Sequence, residues 1–157
     1  MGKRAMSITV SGSQAVSRLI RPGDRVDVIT YLDYAGGKKD RVKSKTVLQD
    51  VFVLSTGRNI TNNIPLIGVK TDKAIKKLNL NTYSNFNEVT LEVDPFQAQK
   101  LIMLINLGHK PYLTLRNNND KSITRIKSTD VYDLLGEDRN EAKKYFQERA
   151  LREKRSK

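Results

Sequence analysis

Apolar and polar residues alternate along much of the chain, and that alternation predicts strands before anything else is considered. In 4–10, RAMSITV, residues Met6, Ile8 and Val10 fall on one face, a strand pattern. Residues 11–20 are a connector, predicted as one helical turn or an irregular crossing. At 21–29, RPGDRVDVI, a Pro22-Gly23-Asp24 turn runs straight into a strand extending to about Leu32. Proline presets φ at the first central turn position, and glycine supplies the positive φ that a type II turn needs next. Val26 and Val28 then alternate with Asp27, as in a half-buried strand. Ala35 to Asp40 predicts a polar hairpin tip without the pattern of a phosphate loop.

Residues 42–54 return as a long strand. Val47, Gln49, Val51 and Val53 alternate with Leu48, Asp50, Phe52 and Leu54, so both faces become apolar toward its end and burial on two sides is expected there. Ser55-Thr56-Gly57 stops it. Residues 57–88 form a long polar loop insertion, rich in asparagine, with an Asn59-Ile60-Thr61 sequon of low specificity. Val89, Leu91 and Val93 restore the strand pattern. Asp94-Pro95 with Gln97 then reads as an N-cap, a first-turn proline and a capping box. Ala98, Leu101, Ile102 and Ile105 are the expected buried stripe, with Leu104 on its margin, and Gly108 ends the helix. Residues 112–116 make another strand, and 117–120 an exposed turn. Residues 129–136 form a short closing element ended by Gly136. Residues 137–157 read as a charged helix with a narrow stripe of Ala142, Tyr145, Phe146 and Leu151 and a favourable Glu148–Arg152 pair. Such a helix is marginal alone and is expected either to need a partner surface or to fray.

The fold class that follows is mainly β (α+β): a small β-barrel or β-clip-like sheet with one short packed helix and a C-terminal charged helix. Its 157 residues suffice for one domain, here 1–136, with 137–157 as an extension. The chain has no cysteine and no tryptophan, so the core should be aliphatic and no disulfide framework exists. No apolar run approaches the roughly 18–20 residues that span a bilayer.

Charge changes the picture more. The formal net charge is +12, which suits a polyanion or an acidic protein partner and equally serves solubility. A basic nucleic-acid or other polyanion-binding module is therefore the alternative function. Against it, no recognition-helix, RNP or zinc signature is present, and the few aromatics are not interleaved with the basic clusters. Catalysis has little support. His109, the only histidine, follows a helix-ending glycine, and no nucleophile or metal-ligand motif occurs, so neither a cofactor nor a metal is expected. Asp24 and Asp27 read as carboxylates on one strand face, where a turn-capping and ion-pairing role beside Arg21 and Arg25 outweighs acid–base work.

The segments RPGDRVDVI (21–29), TVLQDVFVLSTG (46–57) and VTLEVDPFQAQKLIMLINLGHKPYLTLR (89–116), in this order, resemble the RcpC/CpaB family of Flp (Tad) pilus assembly proteins. That family shows a PGDRVDV turn–strand, a TxLQxVxVLxxG strand and a VTLEVxPxQAxKLxxAxxLGxLxLxLR strand–helix–strand. RAMSITV and Asp130 to Leu135 are similar to its opening and closing stretches. The membrane helix and SAF-type region that usually precede this portion are not in the chain, which is expected to be the C-terminal part of a longer protein. Loop 57–88 and helix 137–157 depart from the pattern.

The resemblance implies a non-catalytic periplasmic assembly factor, anchored to the inner membrane in the full-length protein. It would bind or stabilise the outer-membrane secretin of the pilus machine and form a homo-oligomer in the assembly. Acidic cell-wall polymers are further expected partners, and nucleic acid is not. Partner binding is expected on exposed basic loops, at Lys38, Lys39, Arg41, Lys43, Lys70, Lys73, Lys76 and Lys77. Pro22, Gly23, Asp24, Asp94, Pro95 and Gly108 are expected to be turn and cap residues.

Overall fold

The structure, a computed structural model, describes residues 2–33, 42–57, 59–60, 86–117 and 119–155. The fold is mainly β with some helix, and its antiparallel sheet is not closed. The principal strands are β1 (Arg4–Thr9), β2 (Arg25–Asp33), β3 (Val42–Thr56), β5 (Glu88–Val93) and β6 (Pro111–Leu115), in the spatial order β1-β5-β3-β2-β6. Two short strands, β4 (Asn59–Ile60) and β7 (Thr129–Asp130), pair with β3. The open arrangement, with β1 and β6 ending the path, selects the sheet over the barrel.

By contacts the chain divides into two compact units, Met1–Thr30 with Thr46–Arg125, and Tyr31–Lys45 with Ile126–Lys157. The first holds the aliphatic core. Ile8, Val26, Val28, Val51, Val53, Leu91, Val93 and Leu113 bury one face of the sheet. Helix α1 (Pro95–Asn106) adds Leu101, and the connector adds Ala15 and Ile20. That connector is a 3-10 segment, Ser13–Arg18, broken by left-handed φ at Val16, Ser17 and Arg18.

Helix α1 starts and stops where its capping residues dictate. The Asp94 carboxylate accepts from Gln97 N–H at 2.7 Å, and Gln97 Oε1 accepts from Asp94 N–H at 2.8 Å. At the far end Gly108 has φ +76°, its N–H bonds the Ile105 carbonyl, and His109 N–H bonds the Leu104 carbonyl, a Schellman motif. The buried face differs from the expected stripe. Leu101 and Leu104 are buried, whereas Ile102 is 50% exposed and Ile105 is also exposed. Apolar residues surround this helix, so spacing alone does not choose which side meets the sheet.

Strand β3 changes phase along its length. Val42 and Leu48 are buried, then Val51 and Val53, so the inward parity switches between Leu48 and Val51. Asp50 lies at the switch with φ +56°, a left-handed residue inside a strand. Phe52 and Leu54 are half-buried, so the expected two-sided burial is partial. A register shift against β5 falls between Val53 and Ser55.

The second unit contains β7, the 3-10 segment Val131–Asp138 and helix α2 (Arg139–Arg155). Asp130 and Asp133 form a reciprocal capping box, and Arg139 pairs with Asp133 at 2.8 Å. Phe146 meets Tyr132 edge-on at 6.1 Å, and Lys143 lies over the same Tyr132 ring at 5.4 Å. Tyr145 and Leu151 are exposed, leaving α2 held chiefly by its contact with the 3-10 segment.

Candidate functional site

The polar residues of the strands converge on one face of the first unit. The turn comes first. Asp24 Oδ2 accepts from Arg21 N–H at 2.7 Å, and Asp24 N–H bonds the Arg21 carbonyl at 3.1 Å. Gly23 takes φ +99°, the value its turn position requires. The turn is tied to β3 by Gly23 N–H to the Val53 carbonyl and Val53 N–H to the Asp24 carbonyl.

Beyond the turn, Arg25 and Asp27 reach Asp50. Asp27 Oδ1 accepts Asp50 N–H at 2.9 Å, while Arg25 Nη1 donates to the Asp50 carbonyl at 3.0 Å and to Asp50 Oδ1 at 2.6 Å. The backbone amide, carbonyl and carboxylate of the left-handed residue are thus all held from β2. Arg25 also lies over the Phe52 ring at 5.8 Å. The expected Asp24 and Asp27 pair is not assembled. The two are three apart in sequence, Asp24 caps the turn, and Asp27 pairs with Arg116 rather than with Arg21 or Arg25.

Arg116 carries the network onward into the loop after β6. Its side chain is only 8% exposed; Nη1 donates to Asp27 Oδ1 at 2.9 Å, and Nη2 donates to the Ser122 carbonyl at 2.7 Å and to Asp120 Oδ2 at 2.8 Å. The hydrogen bond that Arg116 donates to Asp27 is the largest influence raising the Arg116 pKa, so the guanidinium stays charged. Asp120 is held below its ordinary carboxyl value, first by the Ser122 hydroxyl, then by the Ser122 amide, with Arg116 adding to both. Gln49 of β3 fastens the same loop further on, donating from Nε2 to the Thr124 carbonyl at 2.8 Å and accepting Thr124 N–H at Oε1 at 3.1 Å. What these groups do chemically is restrain: they clamp a bulge and pin a loop.

Of the expected partner-binding residues, Lys43 lies in β3, half-buried, with Asp130 as its Cα partner. Lys38, Lys39, Arg41, Lys70, Lys73, Lys76 and Lys77 lie outside the described residues. Pro22, Gly23, Asp24, Asp94, Pro95 and Gly108 stand in the turn and the helix caps described above. His109 is half-buried and uses its backbone amide at the helix end. Among the described residues, no group of three or more His, Cys, Asp or Glu side chains is placed to hold a metal ion. Sequence reasoning missed Gln49, Asp50, Arg116 and Asp120. The available signal was a polar residue in an otherwise apolar strand end: Asp50 before Val51, and Arg116 directly after Leu115.

Comparison with curated proteins gives no match, and neither does comparison with solved structures. The model of the Flp pilus assembly protein RcpC/CpaB family matches residues 1–116, a span that contains the turn, the bulge clamp, helix α1 and Arg116; the chain belongs to that family.

Proposed function

We propose that this pilus assembly protein is a non-catalytic scaffold of a Flp/Tad-type machine, acting in the periplasm and binding or stabilising the outer-membrane secretin. Family membership over residues 1–116 is the observation that carries the reading. The polar groups of the family-like segments support the non-catalytic part of it. Asp24, Asp27, Asp50, Asp94 and Arg116 are each engaged with the chain itself, where they shape turn, bulge, cap and loop. A double Asp24→Asn, Asp27→Asn variant that lost a hydrolytic activity of the native chain would overturn that part.

In this reading the full-length protein is anchored to the inner membrane. Among the described residues no helix is long and apolar enough to cross a membrane, so the anchor would be supplied from outside them. Residues 1–136 would form the working domain, with 137–157 as an extension, and copies would associate in the machine. The charge of +12 would steer the domain toward an acidic secretin face or acidic cell-wall polymers. The basic residues Lys38, Lys39, Arg41, Lys43, Lys70, Lys73, Lys76 and Lys77 remain the proposed partner contacts. The same charge favours one second reading, a polyanion-binding module; phosphate binding would weaken steeply with salt.

The test is a cross-linked pull-down from a cell-envelope extract, washed at low and moderate salt, with captured proteins identified by mass spectrometry. Enrichment of the pilus secretin and its neighbours is expected at both. Recovery of salt-labile nucleic-acid-associated material alone would overturn the reading in favour of the second.

A further inference from the structure

We propose that the pinned segment 121–125 is a docking edge for an extended, acidic peptide segment of a partner protein. This deepens the scaffold reading, on which it rests only for the partner's identity.

The segment runs without turn or bend. Both the N–H and the C=O of Thr124 are taken by the Gln49 side-chain amide, so Gln49 imitates one rung of a strand ladder. In an extended chain the backbone groups of successive residues point to opposite sides. Those of Ile123 and Arg125 therefore face away from Gln49, and among the described residues no hydrogen bond takes them up. They are a free edge of the kind that accepts an added strand.

The side chains give that edge its chemistry. Lys121, Ile123 and Arg125 alternate along it, and all are exposed, Ile123 to 76%. The one acid of this loop makes its close contacts with Ser122 and Arg116 and not with the two cations. Asp120 Oδ1 accepts the Ser122 N–H at 3.0 Å and its hydroxyl at 2.5 Å, and Oδ2 meets Arg116. An apolar side chain between two cations, on a backbone already straightened and fastened, complements an extended segment whose every second residue runs carboxylate, aliphatic, carboxylate. Because Arg116 and Gln49 hold the edge before a partner arrives, little ordering is left to oppose binding.

The probe is a fluorescein-labelled peptide with glutamate, valine and glutamate at every second position and threonine between them, titrated with the whole chain and followed by fluorescence anisotropy. The same peptide with lysine in place of each glutamate is the control. Saturable binding of the acidic peptide alone is expected. Ile123→Asp and the double variant Lys121→Glu, Arg125→Glu should each weaken it about tenfold. Gln49→Ala should weaken it too, although it leaves the charge unchanged, because it releases the edge. Circular dichroism confirms that each variant is folded. Lys100→Glu, which reverses a charge on α1, should leave binding as it was. If the native chain fails to bind, if the edge variants bind as well as it does, or if Lys100→Glu costs as much as they do, the docking edge is wrong. Secretin pull-downs with the same variants separate this from the scaffold reading. Capture by the native chain and equal capture by the edge variants sinks the edge and leaves the scaffold. No capture by the native chain, with the peptide bound as expected, sinks the scaffold's partner and leaves the edge.

Discussion

Asp50 holds a left-handed backbone conformation in the middle of the longest strand, and side chains from β2 take up its amide, carbonyl and carboxylate. A left-handed residue with a Cβ costs roughly 1–2 kcal/mol, so the clamp must offset it. Two substitutions separate backbone from side chain. Asp50→Val, branched at Cβ, should lower stability in urea by at least about 2 kcal/mol. Asp50→Gly, which accepts the positive φ but loses the Arg25 contact, should cost less than the valine. Equal losses would mean that the bulge is not what matters. Acid tests the neighbouring loop. Asp120 lies below its ordinary value of 3.8 in the fold, so its ionised form favours the fold. That contribution is complete above about pH 4 and is lost as pH falls through the folded value. Amide signals of 121–125, followed by NMR on acidification, should hold their positions down to about pH 4 and shift below it. In Asp120→Asn that acid limb should vanish. The bonds from Asp27 to Asp50, from Gln49 to Thr124 and from Arg116 to Asp27 were not legible in the sequence for a physical reason: they join residues 23, 75 and 89 positions apart and leave no local period.

At the scale of elements, helix α1 shows what a local pattern decides and what it leaves open. Its ends were legible, because capping chemistry is written in adjacent residues: Asp94, Pro95 and Gln97 at one end, Gly108 at the other. Its buried face was not, because Leu101, Ile102, Met103, Leu104 and Ile105 are consecutive apolar residues and tertiary packing chooses among them. Leu101, 0% exposed, should cost roughly 2–4 kcal/mol as alanine. Ile102→Ala should cost under about 1 kcal/mol, and Asp94→Ala about 1 kcal/mol. Thermal or urea unfolding of the three variants checks the order, and an Ile102 loss as large as that of Leu101 would contradict the assigned face. Strand β3 teaches the same lesson. Its extent was legible from alternation, but the phase switch at Asp50 was not, since one left-handed residue exchanges the two faces beyond it.

For the whole molecule, the mainly β architecture and the family followed from the order of the segments, and the division into two compact units did not. The core residues from Ile8 to Leu113 all belong to the first unit, so its stability should not depend on α2. A chain ending at Gly136 should keep slow hydrogen exchange at the amides of β1 and β5 while losing the helical signal of α2. Loss of protection in β5 would contradict this. The basic residues expected to meet a partner lie outside the described residues except for Lys43, and the net charge of +12 is what supports them as contacts. The scaffold account is tested most directly by titrating the purified chain against the purified periplasmic region of the pilus secretin, by calorimetry at low and moderate salt. Saturable binding that weakens with salt yet persists is the predicted result. Absence of binding at both salt concentrations, from a chain shown to be folded, would contradict it.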